Sequence, residues 1–506
     1  MAIAFLALTV AISLIWSHYK LLWQDELYTM QTDSVSSLAQ VIEIQRNYPV
    51  SLDPLAYHAL AHCAIRLFGP TAFAIRLPSL LGFLLMQICL FFFVRRIAGE
   101  RAGVFALAFP ALTPVLFYSA EARPYGLLLG FCTLALLSWQ LASRSDLKRM
   151  LPLATLALAI AFTVNSHFYG VLFLVPLCAA EAFRTFERRR LDLPLIASMA
   201  LGIAGIVFTL PFLKANAAFR VHYYNADLLS PRQILYSYRA LMTGPLSATG
   251  LFWHLLYVGI VLILVFALWG SIRQLGNRSI FHSKAEYFFL ILLSALPFFG
   301  YLLSRMVTHT FEPRYVVSAL VGITSLLAIA LSPLFLRKWT GQGVLAVLFV
   351  TVALAGGFRI SSERVNTQKT MAALTVSPAI KSEIMASPSR LLYFQNHLNY
   401  FLVASYYEPD PEVRSHLAVV YNSMDQEMLV YHHDTLNLLA TNLRQFTRLN
   451  IFPYESVATE PGNHIFVATV DPLWELTEKA ITSAHGNVNP IGPALGGNVV
   501  SVHFVP

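Results

Sequence analysis

Long apolar segments recur from the start of this chain to about residue 359, each of a length that suits the ~30 Å hydrocarbon core of a bilayer. Polar residues or Pro/Gly-marked breaks separate them. The sequence therefore predicts an α-helical polytopic membrane protein with about eleven transmembrane helices. The predicted spans lie near 2–17, 72–94, 102–118, 125–142, 151–165, 168–183, 193–213, 251–271, 286–304, 314–336 and 342–359.

The composition agrees, because 57% of the 506 residues are hydrophobic and only 12% are charged, which excludes an ordinary soluble enzyme of this size. Basic residues concentrate in alternate loops, and the positive-inside rule places those loops in the cytoplasm. Topology thus explains most of the net charge of +8. A nucleic-acid partner has no support, and anionic membrane lipid is the preferred partner. The basic loops contain Arg95, Arg96, Arg101, Arg144, Lys148, Arg149, Arg184, Arg188, Arg189, Arg190, Arg273, Arg278, Lys284, Arg337 and Lys338.

This orientation divides the chain into two predicted domains. Residues 1–359 form the membrane domain, including an outer loop, 18–71, in which 34–44 and 54–68 read as amphipathic helices. Residues 360–506 are more polar and alternate short β-rich runs with helical patterns, which predicts a soluble α/β domain on the outer face. The predicted strands are 391–394, 417–421, 465–470 and 499–504, and the predicted helices are 428–446 and 472–485.

Acidic residues next to a membrane are costly to retain unless they are used. Asp25 and Glu26 follow the first span, and Glu121 with Arg123 occupies the turn between the third and fourth spans. A solvated loop start and a structural ion pair are the plain alternatives. Two acidic motifs in consecutive outer loops favour a functional site.

Cations and aromatic residues accompany these acids on the predicted outer face. Transfer of a group from a lipid phosphate needs a base for the acceptor proton and cations for the departing phosphate. Arginine can clamp phosphate oxygens, although Arg and Tyr also commonly mark span ends. The candidate substrate-binding residues are Asp53, Arg123, Tyr125, His167, Tyr169, Arg220, His222, Arg314 and Tyr315.

His58 and His62 are four residues apart on a predicted helix, which places both imidazoles on one face. Two nitrogen ligands without a third are insufficient for a zinc site, so a polar interfacial helix is the preferred interpretation. The sequence predicts no required soluble cofactor and leaves a divalent metal open.

Several motifs resemble those of the GT-C glycosyltransferases that use polyprenyl-phosphate sugars, a group that includes protein O-mannosyltransferases and bacterial lipid A aminoarabinose transferase. The likeness is densest between Asp25 and Tyr169. One departure is Leu52-Asp53-Pro54-Leu55-Ala56, where bacterial relatives often read His-Pro-Pro-Leu-Tyr. The motifs are Asp25-Glu26, Pro54-Leu-Ala-Tyr-His-Ala-Leu, Tyr118-Ser-Ala-Glu-Ala-Arg-Pro-Tyr125, His167-Phe-Tyr-Gly170 and Glu312-Pro-Arg-Tyr315.

The resemblance implies an inverting glycosyltransferase of the bacterial inner membrane that passes a sugar from a polyprenyl-phosphate donor to an acceptor hydroxyl of a lipid, glycan or protein on the periplasmic face. Asp25 inherits the role of general base, and Glu26 and Glu121 are the accompanying carboxylates of the catalytic group. A transporter or flippase of envelope precursors is the main alternative. Transporters place functional polar groups near the bilayer midplane, whereas these acids lie at span ends. A third interpretation is a non-catalytic scaffold that presents the tail as a binding module.

Overall fold

The computed structural model describes residues 1–144, 149–216, 230–243, 284–386, 391–394, 398–421, 434–453, 456, 462–468 and 487–504. They form two compact units. The first contains Met1–His18, Asp53–Lys214 and the described part of 230–360. The second contains Tyr19–Leu52, residues 215–216 and the described part of Ser361–Pro506.

Helices that suit a membrane dominate the first unit. Within the described residues, six helices are long and apolar enough to span a bilayer. A pair bent by 51°, Lys284–Ser294 with Leu296–Thr308, brings the number to seven if it forms one span. The six are Ala2–Tyr19, Ala72–Ala98, Tyr125–Ser143, Phe168–Arg188, Leu193–Asn216 and Lys338–Leu374.

The remaining helical segments of this unit are shorter. The predicted span at 102–118 is divided into an α-helix and two 3₁₀ helices, since Pro110 and Pro114 remove backbone donors at that point. The predicted span at 251–271 lies outside the described residues. The other segments are Leu55–Phe68, Glu100–Ala108, Phe109–Leu112, Pro114–Ser119, Met150–Ser166, Arg232–Thr243, Pro313–Val316, Ala319–Ala330 and Ser332–Leu336.

The helices Ala72–Ala98 and Tyr125–Arg144 pack backbone to backbone. Gly126 and Gly130 are four residues apart on one face, opposite Gly82. A Cβ atom on Gly126 would overlap the carbonyl oxygen of Ser79. Small residues at this spacing permit close helix contact within a membrane. This contact fixes the start of Tyr125–Arg144, where the Glu121-Arg123 turn ends.

The second unit contains a mixed α/β arrangement. Its described strands are β1 (Leu391–Phe394), β2 (Leu417–Tyr421), β3 (Ile451–Pro453), β4 (Gly462–Ala468), β5 (Asn487–Ala494) and β6 (Gly497–Phe504). They form a sheet of order β3-β2-β1-β4-β6-β5, parallel from β3 to β4 and antiparallel from β4 to β5. The described helices are Gln24–Asp33, Leu38–Asn47, Pro378–Ala386, Leu398–Tyr407, Pro411–His416 and Asp434–Phe446.

Residues 19–52 group with the C-terminal residues, whereas the sequence-based boundary assigned them to the membrane domain. Three hydrogen bonds explain the grouping. The Leu22 amide donates to the Tyr407 hydroxyl at 2.6 Å, and the Tyr28 hydroxyl donates to Asn399 Oδ1 at 3.0 Å. Asn442 Nδ2 donates to the Pro49 carbonyl at 2.8 Å. Such long-range bonds leave no trace in local composition.

Candidate active site

Five aromatic rings form a continuous cluster in the first unit. Tyr118 contacts Tyr125 with ring centroids 4.7 Å apart, and Tyr125 contacts His167 at 5.2 Å. Tyr315 completes the cluster, 5.3 Å from His167 and 4.7 Å from Tyr169. The structure therefore brings together four of the predicted substrate-binding residues from three separate chain segments. Tyr118 also belongs to the cluster, although it was not among the predicted substrate-binding residues. Its position at the start of the motif Tyr118–Tyr125 could have indicated it.

Asp53 and Arg123 form an ion pair beside this cluster. Arg123 Nη1 lies 3.0 Å from Asp53 Oδ2, and the Asp53 side chain is buried. The Arg123 amide donates to the Glu121 carbonyl at 2.8 Å, and Ser79 Oγ donates to the Arg123 carbonyl. The turn that carries buried Glu121 is thus fastened to the neighbouring helix. Asp53, the extra acid in the motif that departs from His-Pro-Pro-Leu-Tyr, is therefore the partner of Arg123.

His167 is buried in the extended residue between two helices. Its Nδ1 accepts a hydrogen bond from the Tyr169 amide at 3.1 Å, which assigns the proton of the neutral ring to Nε2. Burial lowers the pKa of His167 to about 4; Asp53 opposes this shift, while Arg123 and Arg314 add to it. The ring is therefore neutral at pH 7 and presents an Nε2–H donor.

Tyr169 and Arg314 have different surroundings at the edge of the cluster. The Tyr169 hydroxyl donates to the Thr310 carbonyl and lies 3.0 Å from Ser304 Oγ, so it holds the segment that precedes the Pro-Arg-Tyr motif. The Arg314 guanidinium carbon lies 5.8 Å from the centroid of the partly buried Tyr315 ring, and its side chain is also partly exposed. Sequence reasoning missed Ser304 and Thr310, which carry no distinctive pattern.

Asp25 and Glu26 occupy the first turn of Gln24–Asp33 in the second unit. Glu26 is fully buried and accepts from Lys20 Nζ at 2.8 Å and from the Trp23 amide at 3.4 Å. Asp25 is partly exposed. Adjacent residues on a helix point about 100° apart, so one carboxylate turns inward while the other does not. Glu26 is thereby engaged in the structure of this unit.

The remaining predicted site residues are not part of the ring cluster as the structure describes it. His58 and His62 are both buried on Leu55–Phe68, and no set of three or more His, Cys, Asp or Glu side chains able to hold a metal occurs among the described residues. Arg220 and His222 lie outside the described part of the chain.

Solved structures share this fold. ArnT from Cupriavidus metallidurans bound to undecaprenyl phosphate aligns with a TM-score of 0.59 and 14% identity, over 99% of this chain and 97% of that chain. The apo state of the same protein aligns with a TM-score of 0.58 and 15% identity, over 98% and 97%. The chain therefore has the GT-C fold, and the predicted fold class, a multi-pass helical membrane protein with a C-terminal α/β region, is confirmed.

A family match narrows this class further. Residues 53–213 match the family model for dolichyl-phosphate-mannose-protein mannosyltransferase. The protein is a membrane glycosyltransferase of GT-C type, which confirms the predicted resemblance and favours the enzyme over the transporter. No match is found among curated protein sequences.

Proposed function

We propose that the protein transfers a sugar from a polyprenyl-phosphate donor to an acceptor hydroxyl with inversion at the anomeric carbon. The ring cluster beside Arg123 and Arg314 is the observation that carries the proposal. Aromatic faces suit sugar rings, and guanidinium groups suit phosphate oxygens. The ArnT structure with undecaprenyl phosphate supports the choice of donor.

The reaction breaks one bond and forms one bond at the anomeric carbon. The acceptor oxygen attacks that carbon, the carbon–oxygen bond to phosphate breaks, and the electron pair leaves with the lipid phosphate. Asp25 takes the acceptor proton as general base. Arg314 and Arg123 stabilise the charge that develops on the phosphate, while neutral His167 donates from Nε2 to a substrate oxygen. Glu121, Tyr125 and Tyr315 contact the sugar.

We place the reaction on the periplasmic face of the bacterial inner membrane, with the C-terminal unit on the same side. The alternation of basic loops supports this orientation. A cysteine introduced at Tyr400, an exposed position, should react with an impermeant maleimide in intact spheroplasts. Protection there, with labelling only after lysis, would invert the topology.

The decisive experiment compares wild type with Asp25→Asn in membranes supplied with radiolabelled polyprenyl-phosphate sugars. Loss of a general base lowers turnover by about 10²- to 10⁴-fold. Glu43→Gln is the matched control, because Glu43 is an exposed carboxylate on the neighbouring helix Leu38–Asn47. Equal transfer by Asp25→Asn and wild type at matched expression would remove Asp25 from the mechanism.

A further inference from the structure

A buried ion network joins four helices at the surface opposite the predicted active face. Arg184 pairs with Glu181 through two hydrogen bonds of 2.8 Å and with Asp192 at 2.8 Å. Arg149 donates to the same Asp192 oxygen at 2.6 Å, and Trp139 Nε1 donates to Glu181 at 3.0 Å. The proposed transfer reaction uses none of these residues.

The network fixes the turn between two candidate membrane spans, Phe168–Arg188 and Leu193–Asn216. Because the turn links two spans, it lies at a membrane surface. Arg189 adopts a left-handed conformation with φ of 51°, and its amide bonds to the Phe186 carbonyl. Asp192 begins the next helix with its carboxylate inside the network. The three consecutive arginines of the turn, Arg188, Arg189 and Arg190, are exposed.

Positive charge exceeds negative charge at this turn. Five arginines of the network and turn, together with Lys284, stand against three carboxylates, Glu181, Glu187 and Asp192. Two guanidinium nitrogens, Arg149 Nε and Arg184 Nη1, are buried and have no acceptor among the described residues. A buried donor without an acceptor is costly, so the described residues of the network leave part of its own guanidinium charge unsatisfied.

Apolar side chains flank the same turn. Phe186 is 82% exposed, and Leu191 and Leu193 are each 67% exposed. Exposed apolar residues next to guanidinium groups match a molecule with an anionic head and hydrocarbon chains. A soluble anion has no hydrocarbon chain to place against these exposed apolar side chains.

We propose that the turn 188–193 is a binding site for the phosphate headgroup of an anionic phospholipid. Arg188, Arg189 and Arg190 contact the headgroup, while the acyl chains lie against Phe186 and Leu193. The ion network holds the turn in place for the lipid. This site is separate from the proposed transfer reaction and does not depend on it.

Native mass spectrometry of the full chain, released from detergent micelles that contain phosphatidylglycerol and phosphatidylcholine, tests the site. Each arginine that contacts the bound headgroup contributes about a fivefold factor in binding. Replacing Arg188, Arg189 and Arg190 together with glutamine should therefore weaken phosphatidylglycerol retention by roughly a hundredfold and leave phosphatidylcholine retention unchanged. A triple lysine variant keeps the charge and should retain most of the phosphatidylglycerol.

The matched control is Arg95→Gln with Arg96→Gln, since these exposed arginines end another span on the same predicted surface. It should leave phosphatidylglycerol retention within twofold of wild type. Equal loss in this control would show diffuse surface attraction and overturn the site. Unchanged retention in the triple glutamine variant would overturn it directly. Melting temperatures of all variants confirm that each is folded.

Discussion

The buried pair of Lys20 and Glu26 allows a test of whether Glu26 stabilises the fold or takes part in sugar transfer. Their charged atoms lie 2.8 Å apart, with Glu26 fully buried and Lys20 7% exposed. Glu26→Gln leaves the lysine charge buried beside a neutral amide, which costs about 3 kcal/mol. For a unit of this size, each kcal/mol lowers the melting temperature by about 2–4 °C, so we expect a fall of roughly 6–12 °C.

Differential scanning fluorimetry in detergent measures this change. The double variant Lys20→Met with Glu26→Gln removes the lysine charge together with the carboxylate and should recover at least half of the loss. Glu43→Gln, on an exposed face of the same unit, should shift the melting temperature by less than about 2 °C. If Glu26→Gln melts like wild type but loses sugar transfer, Glu26 acts in the chemistry and the structural assignment fails.

Two further predictions concern the first unit. Gly126→Ala inserts a methyl group against the Ser79 carbonyl and should destabilise the protein by about 1–3 kcal/mol, whereas Gly343→Ala, with open space around it, should be neutral or slightly stabilising; equal melting temperatures for both would contradict the close helix contact. Because the pKa of His167 falls from 6.5 to about 4, the unfolded chain binds more protons between these values; stability is fully present above about pH 6.5 and declines as pH falls towards 4. His167→Gln should flatten that slope in melting curves from pH 4 to 7, and an unchanged slope would assign it to other groups.

The sequence predicts those parts of the fold whose signal is local. Apolar runs predict Ala72–Ala98 and the part of Lys338–Leu374 within 342–359, and β-rich runs predict β1, β2, β4 and β6. The pattern misses β3, which has three residues, and β5, which contains Pro490 and Pro493 and is irregular near Gly492. Proline and glycine normally argue against a strand, but at the edge of a sheet they are tolerated.

The helix Gln24–Asp33 is another element that local sequence patterns do not predict. Its sequence is polar and lacks the apolar periodicity that marks an amphipathic helix. Its position depends on contacts with residues far along the chain, such as the hydrogen bond from Tyr28 to Asn399. The side chains of the ring cluster were predictable because they lie in motifs at helix ends. Their ordering contacts, including the bond from Ser79 to Arg123, depend on tertiary packing.

The environments of Asp25 and Glu26 favour different roles for two adjacent carboxylates. A general base must reach an acceptor proton and exchange it with solvent, which a partly exposed side chain can do. Glu26 meets neither condition, because it is buried and hydrogen-bonded to Lys20. In the proposed mechanism, a pair that looks redundant in sequence therefore divides into one acid for the fold, Glu26, and one for the chemistry, Asp25. The proposed mechanism accordingly needs Asp25 and can proceed without proton transfer at Glu26.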